Sequence, residues 1–368
     1  MTEELYEQAL TLLKELIATP SPSKQEENVA GVISNFMESK RIRVNRHLNN
    51  LWFVHPDFRA GRFTLLLNSH TDTVKPSSSW TFDPYSPTES NGRLYGLGSN
   101  DAGAPLVSLM ATFLYFSQQK SIPLNLIFAA TAEEEISGHH GIESIVDRLG
   151  NIDLAIVGEP TKMELAIAEK GLMVLDCKAK GRSGHAARNE GLNAIYEALT
   201  DIEWFRNYHF EKTSDVLGPV KMSVTQINAG IQHNVVPDAC NFVVDVRTNE
   251  FYSNSQALQI IRDHVNCETE ARSLRLNSSF IHPDHPFVKA ARQMHIPCYG
   301  SPTTSDQAVM PYTSVKMGPG DSARSHTADE YIELAELKNG IETYIRLIEM
   351  MVENFEVKYE RNQKQEDE

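Results

Sequence analysis

The stretch Ser69-His70-Thr71-Asp72 carries residue types that could do metal chemistry. A neutral imidazole nitrogen ligates a transition metal, and the other ring N–H then needs an acceptor, which Asp72 is close enough in sequence to supply. An isolated His-x-Asp fits the end of a polar strand equally well. Repetition is what makes the pattern specific. The apolar run 63–67 leads to His70, and the run 124–130 leads to Glu133-Glu134-Glu135. Residues 153–157 lead to Gly158-Glu159, and residues 313–317 lead to Gly318-Pro319-Gly320 and then His326. Three adjacent carboxylates repel one another unless positive charge sits among them, although acids also suit a helix N-terminus. In an open α/β sheet, ligands bind beyond the carboxyl ends of the strands. Two imidazoles and several carboxylates gathered there suit zinc or a similar divalent metal.

A fifth stretch, Gly96-Leu97-Gly98-Ser99-Asn100-Asp101-Ala102-Gly103, precedes an apolar helix over 106–116. Glycines let the backbone turn tightly and approach a ligand. Asp101 or Asn100 could equally cap that helix.

The elements that position these residues follow from periodicity. Leu5, Ala9, Leu12, Leu13, Leu16 and Ile17 predict a helix over 3–18, broken by Pro20 and Pro22. A second helix is predicted over 26–37 and a strand over 51–54. From 172 the texture changes: strands over 172–179, 221–227 and 241–247, a turn at Gly181-Arg182-Ser183-Gly184-His185, and helices over 193–205 and 255–265. These predict an inserted α+β domain over 172–281, leaving 1–171 and 282–368 as one α/β catalytic domain with a central sheet flanked by helices. His282-Pro283-Asp284-His285-Pro286 reads as a surface return loop, and His139 and His140 read as helix-face residues.

The whole chain narrows the function classes. With 34 basic against 49 acidic residues in 368, the net charge is −15, which argues against nucleic acid or an anionic membrane as partner. No apolar run reaches transmembrane length, and the N-terminus lacks a signal-peptide pattern. The four cysteines form no C-x-x-C pair, which fits reduced thiols and a cytoplasmic enzyme.

Taken together the motifs resemble the dinuclear zinc amidohydrolases: acetylornithine deacetylase, succinyl-diaminopimelate desuccinylase, aminoacylase and related carboxypeptidases. The matching stretches are Ser69-His70-Thr71-Asp72, Gly98-Ser99-Asn100-Asp101, Thr131-Ala132-Glu133-Glu134-Glu135, Gly158-Glu159-Pro160-Thr161, Gly181-Arg182-Ser183-Gly184-His185, and Gly318-Pro319-Gly320 before His326. The resemblance implies a zinc-exopeptidase-like catalytic domain with a mixed sheet, and an inserted lid domain that mediates homodimerisation. It implies two Zn²⁺ per chain, with Co²⁺ or Mn²⁺ as substitutes. Asp101 would bridge them, His70 and Glu159 would complete one site, and Glu135 and His326 the other. Asp72 would orient His70, and Glu134 would be the general base. His185 would help hold the developing oxyanion in the partner's site. Asn234 and Arg247 match substrate-contacting positions, Arg being suited to carboxylate binding. Members hold the bridging aspartate with a cis peptide to the next residue, which predicts one at Asp101-Ala102. Many carry a lysine two residues after that aspartate, where this chain has Gly103.

The implied reaction is deacylation of a small N-acyl amino acid, N-acetyl- or N-succinyl-ornithine foremost, in arginine biosynthesis. Succinyl-diaminopimelate desuccinylation, a di- or tripeptidase or carboxypeptidase activity, and a non-catalytic metal-holding protein are the rival readings. Glu134 speaks against the last, because a metal cage has no need of a non-ligating acid there.

Overall fold

The computed structural model describes residues 2–119 and 121–366. The chain divides into two compact units. One comprises Met1–Ile167, Ile281–Tyr299 and Ser305–Glu368; the other comprises Ala168–Phe280 and Gly300–Thr304.

The first unit opens with α1 (Thr2–Ile17) and α2 (Glu27–Ser39). Leu5, Leu12, Leu13 and Leu16 give α1 one buried face, and Pro20 lies just beyond its end. There follow β1 (Asn45–His47), β2 (Asn50–Val54), β3 (Thr64–His70), β4 (Thr88–Ser90) and β5 (Arg93–Tyr95). Then come α3 (Ala104–Ser117), β6 (Asn125–Thr131), α4 (Val146–Leu149), β7 (Leu154–Gly158) and β8 (Leu165–Glu169). Every residue of β3, β6 and β7 is buried. Strands covered on both faces read as unbroken apolar runs, which is why these were visible in the sequence. Nearly all of α3 is buried as well, so it shows no polar stripe.

The second unit holds β9 (Met173–Lys180), β10 (Gly184–His185), α5 (Ala194–Asn207), β11 (Lys221–Ala229), β12 (Val235–Val236), β13 (Ala239–Arg247), α6 (Asn254–Arg262), β14 (Glu268–Ala271) and β15 (Ser279–Phe280). Four of these strands form an antiparallel sheet in the order β11-β13-β9-β14. Along β9 buried residues alternate with less buried ones. Met173, Leu175 and Cys177 enter a core with Phe242, Val244 and Val246 of β13, Ala198 and Phe205 of α5, and Ile261 of α6.

The chain returns to the first unit through α7 (Pro286–Gln293), then β16 (Cys298–Ser301), β17 (Ser314–Met317), β18 (Tyr331–Glu333) and α8 (Leu334–Glu366). The central sheet includes, in order, β1-β2-β6-β3-β7-β17-β8. Its middle is parallel, β3 pairing with β6 and β7, and β17 with β7. Its flanks are antiparallel, so the sheet is mixed. The four parallel strands therefore end on one side, at Thr131, His70, Gly158 and Met317.

Three local readings need correction. His139 and His140 sit in a turn, because the chain after Glu135 makes only a short 3-10 segment, Glu134–Ile136. His285 is not merely a loop residue: its Nδ1 accepts from the Phe287 N–H at 3.2 Å and caps α7. The turn predicted at 181–185 contains strand residues, Gly184 and His185 pairing with Val236 and Val235.

Candidate metal centre

His70 is the last residue of β3 and is 2% exposed. Its Nδ1 lies 2.9 Å from the backbone carbonyl of Asp72, nearer than the Asp72 carboxylate oxygen at 3.5 Å. A carbonyl only accepts, so Nδ1 donates to it, which leaves Nε2 as the nitrogen available to a metal. That nitrogen is 3.3 Å from Asp101 Oδ1 and 3.9 Å from both Glu159 Oε1 and Glu134 Oε2.

The Asp72 carboxylate, which lies beside His70 Nδ1, also makes other contacts. Oδ1 accepts the N–H of Glu134 at 3.0 Å, and Oδ2 accepts the N–H of Glu135 at 3.2 Å and the Ser23 hydroxyl at 2.6 Å. It thus pins the turn that carries the acidic cluster. Glu133 begins that turn with φ of 56°, and its N–H reaches the buried carboxylate of Glu26 at 3.2 Å.

Asp101 lies in the five-residue turn Ser99–Gly103 that feeds α3, and neither it nor Asn100 caps the helix with its side chain. The Asp101-Ala102 peptide is cis, as expected. The two carboxylate oxygens of Asp101 face opposite ways: Oδ1 towards His70, and Oδ2 towards His326 Nε2 at 3.6 Å. His326 Nε2 also lies 2.9 Å from Glu135 Oε2. Two groups result, His70-Asp101-Glu159 and Asp101-Glu135-His326, each with its ligand atoms within 4.8 Å of one another.

The loops are tied together by groups that the sequence did not reveal. Asn100 Oδ1 accepts the Asp321 N–H at 2.9 Å, and its Nδ2 donates to the Asp321 carbonyl at 3.1 Å, joining the Asp101 turn to the loop before His326. Thr131 donates to buried Asp306 at 2.8 Å, at the end of β6. Gly103 has a local reason to be glycine. An added Cβ would lie 2.4 Å from the Gly98 carbonyl oxygen and 2.7 Å from Leu13 Cδ1. A lysine there, as in many proteins of the resembling family, has no room in this turn.

The electrostatics ask for a cation. Burial, together with the charge of Glu159, holds the Glu134 carboxyl well above the usual carboxylate range. Burial and the charge of Asp101 push Glu159 up to about 8, and burial also raises Glu135. Glu159 Oε1 is buried with no hydrogen-bond partner. An orphaned carboxylate oxygen facing an imidazole lone pair and a second carboxylate is what a divalent cation satisfies, and the mixed N/O donor set suits zinc.

The remaining candidates lie in the second unit. His185 is exposed, and its Nδ1 accepts the Ala187 N–H at 3.1 Å. Asn234 is a near neighbour: its carbonyl accepts the Ala186 N–H at 3.0 Å. Arg247 is half-buried at the end of β13 and engages Asp245 twice, at 2.8 and 3.1 Å.

The profile of Peptidase family M20/M25/M40 matches residues 66–350. The chain belongs to that family. Its members are metallopeptidases and amidohydrolases, and this M20 protein is a hydrolase of amide bonds. Acetylornithine deacetylase of Proteus mirabilis (strain HI4320) is 26% identical over 380 residues, covering 94% of this chain and 96% of that one. Succinyl-diaminopimelate desuccinylase of Xylella fastidiosa (strain M12) is 25% identical over 371 residues, covering 92% and 97%. The fold is shared with the aminopeptidase PepT of Bacillus cereus, at TM-score 0.75 and 19% identity over 94% of this chain and 98% of that one. It is shared too with a Bacillus subtilis protein described as a dinuclear metal-binding peptidase of the M20 family, at TM-score 0.71 and 15% identity over 96% and 99%. Among the described residues no helix is long and apolar enough to cross a membrane.

Proposed function

We propose that this M20 hydrolase removes the acyl group from an N-acyl amino acid, with N-acetyl- or N-succinyl-ornithine as the leading substrates. The observation that carries the reading is Asp101, whose two oxygens address two separate ligand groups. His70 and Glu159 would hold one divalent cation with it, Glu135 and His326 the other, and zinc is the metal of first choice. When bound, the cations supply Lewis acidity towards the scissile carbonyl and lower the proton affinity of the attacking water.

The chain's own residues do the rest. Glu134 takes the proton of the attacking water and passes it to the departing amine nitrogen, so that water plus amide gives carboxylate plus amine. Its side chain stands 3.9 Å from His70 while its backbone N–H is fixed by Asp72, so the carboxylate is aimed without being tied down as a ligand. Asn234 and Arg247 are the proposed substrate contacts, and His185 the proposed donor to the oxyanion.

We read the protein as a cytoplasmic homodimer joined through the second unit. In support, β11 is an edge strand of its sheet, with Ile227 56% exposed, and Tyr196 and Leu199 of α5 are 68% and 52% exposed. Large apolar side chains beside an open strand edge suit a partner surface.

The similar identity of the desuccinylase relative keeps succinyl-diaminopimelate as a second substrate reading. Zinc-loaded protein assayed against acetylornithine, succinylornithine, succinyl-diaminopimelate and a set of dipeptides separates these readings. Release of acetate or succinate from the ornithine derivatives supports the first, and turnover confined to dipeptides overturns it.

A further inference from the structure

Glu330 carries a buried carboxylate that the chemistry above does not use. It is 2% exposed and sits four residues beyond His326, just before β18. Its Oε1 accepts two backbone N–H groups, of Asn100 at 2.8 Å and of Asp101 at 2.9 Å. Its Oε2 accepts the Gly98 N–H at 3.2 Å. The backbone carbonyl of Glu330 takes a fourth, the Gly96 N–H at 3.0 Å.

These amides have few alternatives. Gly98 is left-handed at φ 75°, and Asp101 and Ala102 have non-helical torsions. The turn's own bonds are made by later amides, those of Gly103 and Ala104 to the Gly98 and Ser99 carbonyls. The amides of Gly98, Asn100 and Asp101 at its start, like those of a helix N-terminus, pair outside it. Unpaired buried N–H groups cost free energy comparable to a lost hydrogen bond. A carboxylate is the one side chain with enough lone pairs to accept three of them at once.

Glu330 is itself held from several sides. The preceding Asp329 accepts the Thr81 and Phe82 N–H groups at 2.8 and 3.1 Å. The following Tyr331 ring lies between the Arg93 and Arg324 guanidiniums, at 4.2 and 4.5 Å from its centroid. Arg324 is fixed by two bonds to Glu336, at 2.6 and 3.0 Å.

We propose that Glu330 is the positioning residue of the metal centre, its carboxylate fixing the 98–101 backbone so that the two oxygens of Asp101 point to both cation sites. It fixes Asp101 from the same loop that supplies His326. The inference rests on the two-metal reading and adds to it a residue that touches neither metal nor substrate.

The test is metal binding, which needs no substrate. Metal-free wild type, Glu330→Gln, Glu330→Ala and Asn125→Ala are titrated with Co²⁺ by calorimetry and visible absorption, and their unfolding midpoints are measured. Asn125 is a fair control because its buried amide makes comparable bonds, to Arg59, Arg62 and Thr64, at the opposite end of β6. Wild type and Asn125→Ala should bind two ions with equal affinity, Asn125→Ala unfolding earlier. Groups that orient metal ligands typically matter about 10–100-fold in affinity, so Glu330→Ala should weaken binding by about that much. Glu330→Gln, which keeps an oxygen for Asn100 and Asp101, should fall in between, and it carries the test alone if Glu330→Ala does not fold. Folded Glu330 variants that bind both ions within about twofold of wild type would overturn the proposal, as would equal weakening in Asn125→Ala. If wild type itself takes up fewer than two ions, the two-metal reading falls first and this inference with it.

Discussion

Asp72 accepts the backbone N–H of Glu134 at 3.0 Å, and in the same residue the backbone carbonyl takes Nδ1 of His70 at 2.9 Å. One residue therefore sets the relation between a ligand-type imidazole and the candidate base. Its side chain holds the acidic turn; its main chain selects the tautomer of the histidine. Asp72→Asn keeps the main-chain contact and disturbs only the side-chain ones, because an amide nitrogen would face an N–H donor or the Ser23 hydroxyl. The expected outcome is a loss in kcat of about 10–100-fold with two metals still bound. Steady-state kinetics beside metal analysis check it, and a variant that loses metal at unchanged turnover per bound pair would show the carboxylate to act on the ligands instead.

Glu134→Gln preserves size and removes the proton acceptor. Turnover should fall by about 10²–10⁴-fold, the usual contribution of a general base, while metal affinity holds or rises. A Glu134→Gln protein with near wild-type kcat would remove Glu134 from the role of base.

Gly103→Ala tests the packing of the Asp101 turn. The new methyl would meet the Gly98 carbonyl oxygen at 2.4 Å, which backbone cannot yield without moving Asp101. Overpacking of this kind costs about 1–3 kcal/mol, so the unfolding midpoint should drop and metal uptake weaken with it. Leu13→Ala combined with Gly103→Ala should restore little, because the carbonyl and not Leu13 Cδ1 at 2.7 Å is the nearer obstacle. Full recovery in the double variant would place the conflict at Leu13.

What could be read from the sequence, and what could not, divides along a physical line. His70, the glutamate cluster, Glu159 and the loop to His326 were legible because each follows a strand buried on both faces, whose apolar run marks where the chain emerges. Asp101 was legible as a candidate from its glycines but not distinguishable there from a helix cap. Glu330 left no local signal of its contacts: its three amide partners lie 229 to 232 residues away. The Asp72 contacts were hidden for a similar reason, since a neighbour two residues off in sequence suggested itself before Glu134, 62 residues away. β8 escaped notice because Leu165-Ala166-Ile167-Ala168-Glu169 is short and Ala-rich, with weak strand propensity of its own.

The last prediction concerns His185, which lies in the second unit, outside the loops that gather the ligand groups. It is exposed, and its Nδ1 accepts from Ala187, which leaves Nε2 as the nitrogen able to donate. If each active site takes Glu134 from one chain and His185 from its dimer partner, Glu134→Ala and His185→Ala homodimers should each be nearly inactive. Dissociated together and allowed to reassemble, they form mixed dimers in which one site receives both substitutions and the other neither. Random pairing makes about half of the dimers mixed, so roughly a quarter of all sites become wild type. Activity should recover towards that fraction, on the same timescale as subunit exchange followed by mass-tagged chains. Confirmed exchange with no gain in activity would show that His185 does not act across the interface, and His185→Ala would then be examined for a defect confined to its own chain.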